Sequence, residues 1–240
     1  MRLLHTLKYT LHEFHGDGIP EYVILSHTWG QGEVTFQDIQ DVDKASAKPG
    51  FQKIAGTCRK AASDGFEYCW IDTCCIDKSS SAELSEAINS MYSWYKGSRI
   101  CYAYLSDISR TGTQDADFGK SRWWRRGWTL QELIAPAVVE FYDVNWEELG
   151  SKSSIQEAIS SLTGIGVQVL LGDNPAECTV AERMSWASKR STTRIEDRAY
   201  SLMGLFNVHL PMLYGEGHKA FARLQEEIMK TTEDYTILAW

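Results

Sequence analysis

The chain has 240 residues, of which 43% are hydrophobic, and it carries 9 Trp, 11 Tyr and 8 Phe. That composition supplies enough apolar surface for a packed core and excludes an intrinsically disordered chain. The formal net charge is −8, which excludes non-specific binding to the phosphates of long nucleic acids. No apolar run reaches the roughly 18–20 residues that a membrane-spanning helix needs.

The first half of the chain predicts strands that alternate with helices. Short apolar runs bounded by polar or glycine-containing segments are typical of buried strands. The predicted strands cover residues 22–26, 68–72, 100–105 and 138–142. The predicted helices cover residues 51–64, 82–96 and 127–134, and a loop is expected over 108–120. This alternation predicts an α/β fold, with a parallel sheet and flanking helices.

Residues 151–240 predict a helical organisation. Helical patterns cover residues 154–162, 180–189, 197–205 and 217–230. We therefore expect an α/β core over residues 1–150 and a helical subdomain over residues 151–240 that packs on the core. The alternating charges of Arg194, Glu196, Asp197 and Arg198 predict a structural salt-bridge network that docks one of these helices.

Polar and aromatic side chains follow the ends of the predicted strands. Ser26, His27 and Trp29 come at the end of the first strand, and Asp72 ends the second. The segment SRWWRRGW (residues 121–128) follows the third strand and interleaves arginines with tryptophans. Ligands bind beyond the carboxyl ends of the strands in open parallel sheets. We therefore expect these side chains to converge on one site.

The six cysteines predict buried thiols. No two of them have the Cys-x-x-Cys spacing of a metal site, so no metal centre is predicted. A nucleophilic Cys74 or Cys75 with His27 as its base would need a third, orienting group, which nothing in the sequence indicates. Scattered cysteines and an N-terminus, MRLLHTLKYT, that has no apolar signal segment predict a cytoplasmic protein.

Several segments in order resemble the fungal heterokaryon-incompatibility (HET) domain, and together they cover nearly the whole chain. They are EYVILSHTWG, YCWIDTCCIDK, RGWTLQELIAP, TTRIEDRAYSLMGLF, LYGEGHKAF and RLQEEI. This resemblance implies a trigger of programmed cell death in fungal incompatibility and innate immunity, with residues 1–240 forming one HET domain. It also implies a nucleotide-binding oligomerisation partner, either further along a longer chain or on a separate one.

HET domains in turn resemble TIR domains, which are flavodoxin-like modules of which some cleave NAD. The resemblance implies a TIR-like parallel sheet. TIR sequences often carry a Trp after the third strand and the catalytic Glu four residues later. Trp128 and Glu132 have that spacing here, so the resemblance implies Glu132 as the catalytic carboxylate. Glu83, on the preceding predicted helix, is the rival.

Two functions remain open. In the first, the chain hydrolyses NAD at the nicotinamide–ribose bond, and Glu132 stabilises the oxocarbenium-like species that forms. NAD is then a substrate, and no prosthetic group is expected. The residues expected to hold the nucleotide are Ser26, His27, Trp29, Asp72, Arg126 and Trp128.

In the second, the chain is a non-catalytic module that associates with itself and recruits a death effector. Glu132 would then pair with Arg125, Arg126 or another neighbour to hold its own segment in place. Under the first function, Glu132, Trp128, Asp72 and residues 26–29 must line one cleft. A homo-oligomer is expected on activation.

Overall fold

The computed structural model describes residues 1–110 and 115–239. Within these residues the chain forms one seven-stranded sheet, in the order β2-β1-β4-β3-β5-β6-β7. In chain order the strands are β1 (Arg2–His5), β2 (Leu11–Glu13), β3 (Tyr22–His27), β4 (Tyr68–Trp70), β5 (Ile100–Tyr104), β6 (Val139–Tyr142) and β7 (Glu148–Ser151). Residues 111–114 of the predicted loop lie outside the described residues.

The four central strands are parallel and confirm the predicted α/β fold. β3 pairs with β4 on one side and with β5 on the other, and β5 pairs with β6. Numbered along the chain, the parallel strands stand in the order second, first, third, fourth, which is the flavodoxin-like arrangement. All six residues of β3 are buried, because a central parallel strand is covered on both faces.

The edges of the sheet are antiparallel, which the sequence does not predict. β1 pairs antiparallel with both β2 and β4, and β7 pairs antiparallel with β6. β2 and β7 have three and four residues and none of them is fully buried. Such short, half-exposed segments lack the apolar run that predicts the central strands.

Twelve α-helices accompany the sheet in the described parts of the chain. They are α1 (Phe36–Ile39), α2 (Val42–Ser46), α3 (Phe51–Ser63), α4 (Asp72–Cys75), α5 (Ser81–Gly97), α6 (Thr129–Ile134), α7 (Gln156–Thr163), α8 (Val167–Leu170), α9 (Val180–Ser185), α10 (Asp197–Tyr200), α11 (Met203–Phe206) and α12 (Lys219–Thr231). The helix predicted over 197–205 is broken into α10 and α11. None of the helices over residues 1–110 and 115–239 is long and apolar enough to cross a membrane.

The chain after β7 is helical and packs on the sheet layer through one shared core. The buried apolar side chains form a single cluster that extends from Leu3 to Ile237. α11 packs against α5, and α6 packs against both α8 and β3. α6 is buried at all six positions. Its position between the sheet and the C-terminal helices places any polar side chain that it carries deep in the molecule.

Candidate functional site

A cleft lies at the carboxyl ends of β3 and β4, next to the point where the strand order reverses between β3 and β5. Its volume is about 440 Å³, within the range of roughly 300–1,000 Å³ that is usual for small-molecule sites. α5 and α6 contribute to its walls, as does the segment 192–197. The residues predicted for the site that line it are His27, Trp29, Asp72, Arg126, Trp128 and Glu132.

Glu132 is a buried carboxylate at this cleft. It lies on α6 and is only 6% exposed. One of its oxygens accepts a hydrogen bond from Ser26 Oγ at 2.5 Å, and Tyr95, whose hydroxyl donates to the Leu25 carbonyl, lines the same cleft. Ser26 Oγ in turn accepts a hydrogen bond from Trp123 Nε1 at 2.8 Å. Ser26 does not line the cleft itself, but its hydroxyl fixes the position of the Glu132 carboxylate from the protein interior.

The environment of Glu132 disfavours its charge. Burial raises its pKa from 4.5 to about 7, although the Ser26 hydrogen bond and the positive charge of Arg126 favour ionisation. Among the described residues, no Lys or Arg lies within ion-pair distance of Glu132. The structural alternative, an ion pair with Arg125 or Arg126, is therefore not formed. A carboxylate that is buried without an ion-pair partner is typical of a functional position.

Asp72 is the second carboxylate of the cleft and remains ionised. Burial opposes its charge, but the His27 hydrogen bond and the charges of Lys78 and Arg126 hold its pKa well below the usual range. His27 Nε2 donates to Asp72 Oδ1 at 2.9 Å, and Trp29 Nε1 donates to Oδ2 at 2.8 Å. The predicted strand over 68–72 ends at Trp70, and Asp72 instead begins the short helix α4.

Two charged side chains, Lys53 and Glu33, orient the ring of His27. Lys53 Nζ lies 2.9 Å from His27 Nδ1 and also pairs with Glu33. Because the ammonium group donates to Nδ1, the Nε2 hydrogen is directed at Asp72. Burial lowers the pKa of Lys53, and Glu33 partly offsets this effect. The sequence predicts a role for neither Lys53 nor Glu33, because they are far apart in the chain and nothing in their local patterns connects them.

The aromatic and cationic groups of the cleft come from three segments. Trp29 is 41% exposed, and the Lys78 ammonium lies 4.4 Å from its ring centroid. Trp128 and Asp197 both line the cleft. The Arg126 side chain is half-buried, and its Nε has no hydrogen-bond partner in the described structure. An incoming ligand therefore meets flat rings and an arginine whose donors are not all used.

The salt-bridge network predicted for residues 194–198 is not formed among the described residues. Arg194 instead stacks on the Tyr214 ring at 4.4 Å, and the Tyr214 hydroxyl donates to Asp197 at 3.0 Å. Glu196 accepts from the backbone N–H groups of Gly215 and Gly217. Arg194 and Asp197 line the cleft. The sequence shows that charges alternate along this segment, but it does not show which way each side chain points.

Glu83, the rival carboxylate, lies away from the cleft. It forms an ion pair with Arg2 and accepts a hydrogen bond from the Asp77 N–H at 2.7 Å. A different face of α5 borders the cleft, through Leu84, Ile88, Met91 and Tyr95. Tyr95 belongs to the predicted apolar stripe of this helix, but only the packing shows that the stripe borders a cavity.

The cysteines are unbridged, and five of the six are buried. Burial and the adjacent Cys75 hold the pKa of Cys74 well above that of a free thiol, so it carries no thiolate at neutral pH. Both ring nitrogens of His27 are engaged, by Asp72 and by Lys53. No cysteine is therefore activated as a nucleophile by His27.

Fold and cleft together define an α/β domain of flavodoxin-like strand order with a cleft at the ends of its parallel strands. Residues 22–117 match the family described as Heterokaryon incompatibility protein (HET). The chain is also similar to the Vegetative incompatibility protein HET-E-1 of Podospora anserina, with 48% identity over 223 residues. That alignment covers 88% of this chain, so the chain belongs to the HET family.

The alignment covers 16% of the Podospora anserina protein. The chain therefore matches a small part of a much longer relative. No solved structure matches the chain significantly.

Proposed function

We propose that this chain is a HET domain that triggers cell death in fungal incompatibility and does so by hydrolysing NAD at the nicotinamide–ribose bond. The incompatibility role is supported by the relative named above and by family membership. The chemistry is supported by one observation above all. A buried carboxylate without an ion-pair partner, Glu132, shares a cleft of nucleotide size with aromatic rings and cations.

The groups of the cleft match the parts of a dinucleotide. Arg126, Arg194 and Lys78 are the cations that line it, and guanidinium groups bind pyrophosphate oxygens in pairs. The Trp29 and Trp128 rings are suited to stack on flat heterocycles. Asp72 is held by two donors, and its remaining lone pairs are available to accept from ribose hydroxyls.

Glu132 acts electrostatically in the proposed reaction. The nicotinamide of NAD is a cationic leaving group, so its departure needs no proton donor. As the bond breaks, positive charge develops on the ribose, and the Glu132 carboxylate stabilises it in a site shielded from water. Water then attacks the anomeric carbon and loses a proton, which leaves ADP-ribose and nicotinamide.

The raised pKa of Glu132 predicts how activity depends on pH. The carboxylate is the active form, and its pKa in the free domain is about 7. Cleavage therefore rises as pH increases through about 7 and falls below it. Bound NAD carries a positive nicotinamide ring, which favours the ionised carboxylate and moves the midpoint to lower pH at saturating substrate.

We also propose that the active form is a homo-oligomer in the cytoplasm and that a nucleotide-binding oligomerisation domain brings the copies together. TIR-like sites are commonly completed across neighbouring protomers, and the cleft is open at the surface beside the exposed Trp29. Assembly would then complete the site and switch activity on.

The test is incubation of the concentrated protein with NAD, with free nicotinamide measured by chromatography. Glu132→Gln keeps the side-chain volume but removes the charge. We expect it to reduce nicotinamide release by about two to three orders of magnitude, the usual cost of deleting one electrostatic stabiliser. Glu83→Gln is the matched control, because Glu83 lies outside the cleft, and it should keep near wild-type activity.

Thermal melting of both variants separates chemistry from folding. A folded Glu132→Gln protein that released nicotinamide at the wild-type rate would remove Glu132 from the reaction. Wild-type protein that kills cells without consuming NAD would instead support the non-catalytic, self-associating module.

A further inference from the structure

A second cavity lies on the other side of residues 121–128 from the cleft. It has a volume of about 590 Å³ and is bounded by the end of α7, by residues 124–125 and by residues 185–190. It shares no lining residue with the cleft. Arg125 lines this cavity and its neighbour Arg126 lines the cleft. The bridge between Arg126 and Ser191 runs between the two.

The charges of this cavity are all positive. Arg125, Lys189 and Arg190 line it, and no Asp or Glu does. Arg125 and Lys189 have exposed side chains and form no ion pair within the described residues. The chain as a whole has a net charge of −8. Three cations and no carboxylate around one concave surface therefore give this cavity a local positive electrostatic potential.

Arg190 is buried and forms no ion pair among the described residues. It is 8% exposed, and its Nη1 donates to the Arg126 carbonyl at 3.0 Å and to Thr129 Oγ1 at 2.9 Å. Its Nε donates to the Trp186 carbonyl at 3.3 Å. All of these acceptors are neutral, and Nη2 has no partner in the described structure. Buried arginines are normally paired with a carboxylate, whereas Arg190 has none within ion-pair distance among the described residues and interacts with the Glu132 charge only at longer range.

We propose that this cavity binds a small molecule that carries a phosphate or pyrophosphate group. Its anionic group would form charge-assisted hydrogen bonds to the exposed Arg125 and Lys189 and would be attracted by the positive charge of Arg190 behind them. The volume suits a phosphorylated metabolite, whereas a long polyanion is repelled by the acidic remainder of the surface. The proposal concerns binding and is independent of NAD cleavage in the cleft.

The test is a calorimetric titration of the full chain with inorganic pyrophosphate. The wild-type chain should show two sites, one in the cleft and one in this cavity. The double variant Arg125→Gln/Lys189→Gln changes only exposed side chains and should weaken one site about tenfold for each cation removed. Arg194→Gln, in the cleft, is the matched control and should weaken the other site alone.

The readout from the tryptophans assigns the site. Trp124 and Trp186 line the cavity, so changes at their indole N–H signals in NMR spectra should accompany binding there and should persist in Arg194→Gln. The proposal is overturned if the double variant titrates like wild type. It is equally overturned if pyrophosphate at millimolar concentration moves neither indole signal.

Discussion

Replacing Glu132 with Gln should stabilise the fold at neutral and alkaline pH while it reduces nicotinamide release by about two to three orders of magnitude. The folded chain buries this carboxyl group and raises its pKa from 4.5 to about 7. That difference corresponds to about 3 kcal/mol of unfavourable free energy for the ionised form in the folded state. Gln is neutral at every pH, so it avoids this cost.

The hydrogen bonds around residue 132 can be kept when Glu132 is replaced with Gln. Ser26 Oγ donates to Glu132 at 2.5 Å, and the amide oxygen of Gln can accept that bond. The Tyr95 hydroxyl donates to the Leu25 carbonyl at 3.0 Å. Its oxygen is therefore able to accept from the Gln amide N–H, and no buried polar group is left without a partner.

The sign of the pH dependence follows from the raised pKa. Between 4.5 and about 7 the folded wild type binds more protons than the unfolded chain, so its stability falls as pH rises. The contribution of Glu132 to the free energy of unfolding is favourable below pH 4.5 and is lost above about pH 7. The free energy of unfolding of Glu132→Gln minus that of wild type should therefore grow from near zero in acid to about 3 kcal/mol at pH 8.

Urea denaturation of both proteins at several pH values measures this difference. For a chain of this size, about 3 kcal/mol corresponds to a rise in Tm of about 6–12 °C at pH 8. Glu83→Gln serves as the control and should show no such gain, since its carboxylate is ion-paired with Arg2. A pH-independent difference, or a variant less stable than wild type at pH 8, would refute the argument that burial disfavours this charge.

Three further outcomes are expected. Asp72→Asn should lower the free energy of unfolding by about 2 kcal/mol at neutral pH, because one amide oxygen cannot accept hydrogen bonds from both His27 and Trp29. Since the pKa of Asp72 is depressed, this loss of stability should vanish in strong acid. Urea denaturation at several pH values measures it, and a loss that stays constant with pH would contradict the prediction. Gly56→Ala places a Cβ 2.0 Å from Trp146 Nε1 and should cost about 3 kcal/mol in the same assay, whereas Gly18→Ala, with open space around it, should be neutral. Nicotinamide release per protomer should fall on dilution below the dissociation constant of the oligomer, as measured beside sedimentation, and full specific activity of a monomer would rule out activation by assembly.

The central strands and longer helices are predictable because their burial requires a particular composition. Residues 22–25 are apolar without alternation, as a strand covered on both faces requires, and they lie in β3. α5 and α12 are predictable from their apolar stripes. The antiparallel strands β1, β2 and β7 are not, because each has only three or four residues and lacks a long apolar run.

The sequence by itself determined which residue types stand at the ends of the parallel strands, since strand direction places all their carboxyl ends at one edge. It thereby indicated His27, Asp72 and Arg126 as candidates, while the resemblance to TIR domains indicated Glu132, and the structure brings these side chains to one cleft. Their roles in catalysis remain predictions. Spacing alone left Glu83 and Glu132 as rivals, and only packing separates them.

Only the tertiary structure decided how those side chains are held and charged. The side-chain contacts that connect Glu33, Lys53 and His27 join residues from different parts of the structure. No local sequence pattern encodes such contacts. The pKa of Glu132 depends on the burial of α6 between the sheet and the C-terminal helices. Arg125 and Arg126 are adjacent and chemically identical in the sequence. They line different cavities, because the backbone around them pairs with Ser191 and turns successive side chains to opposite sides.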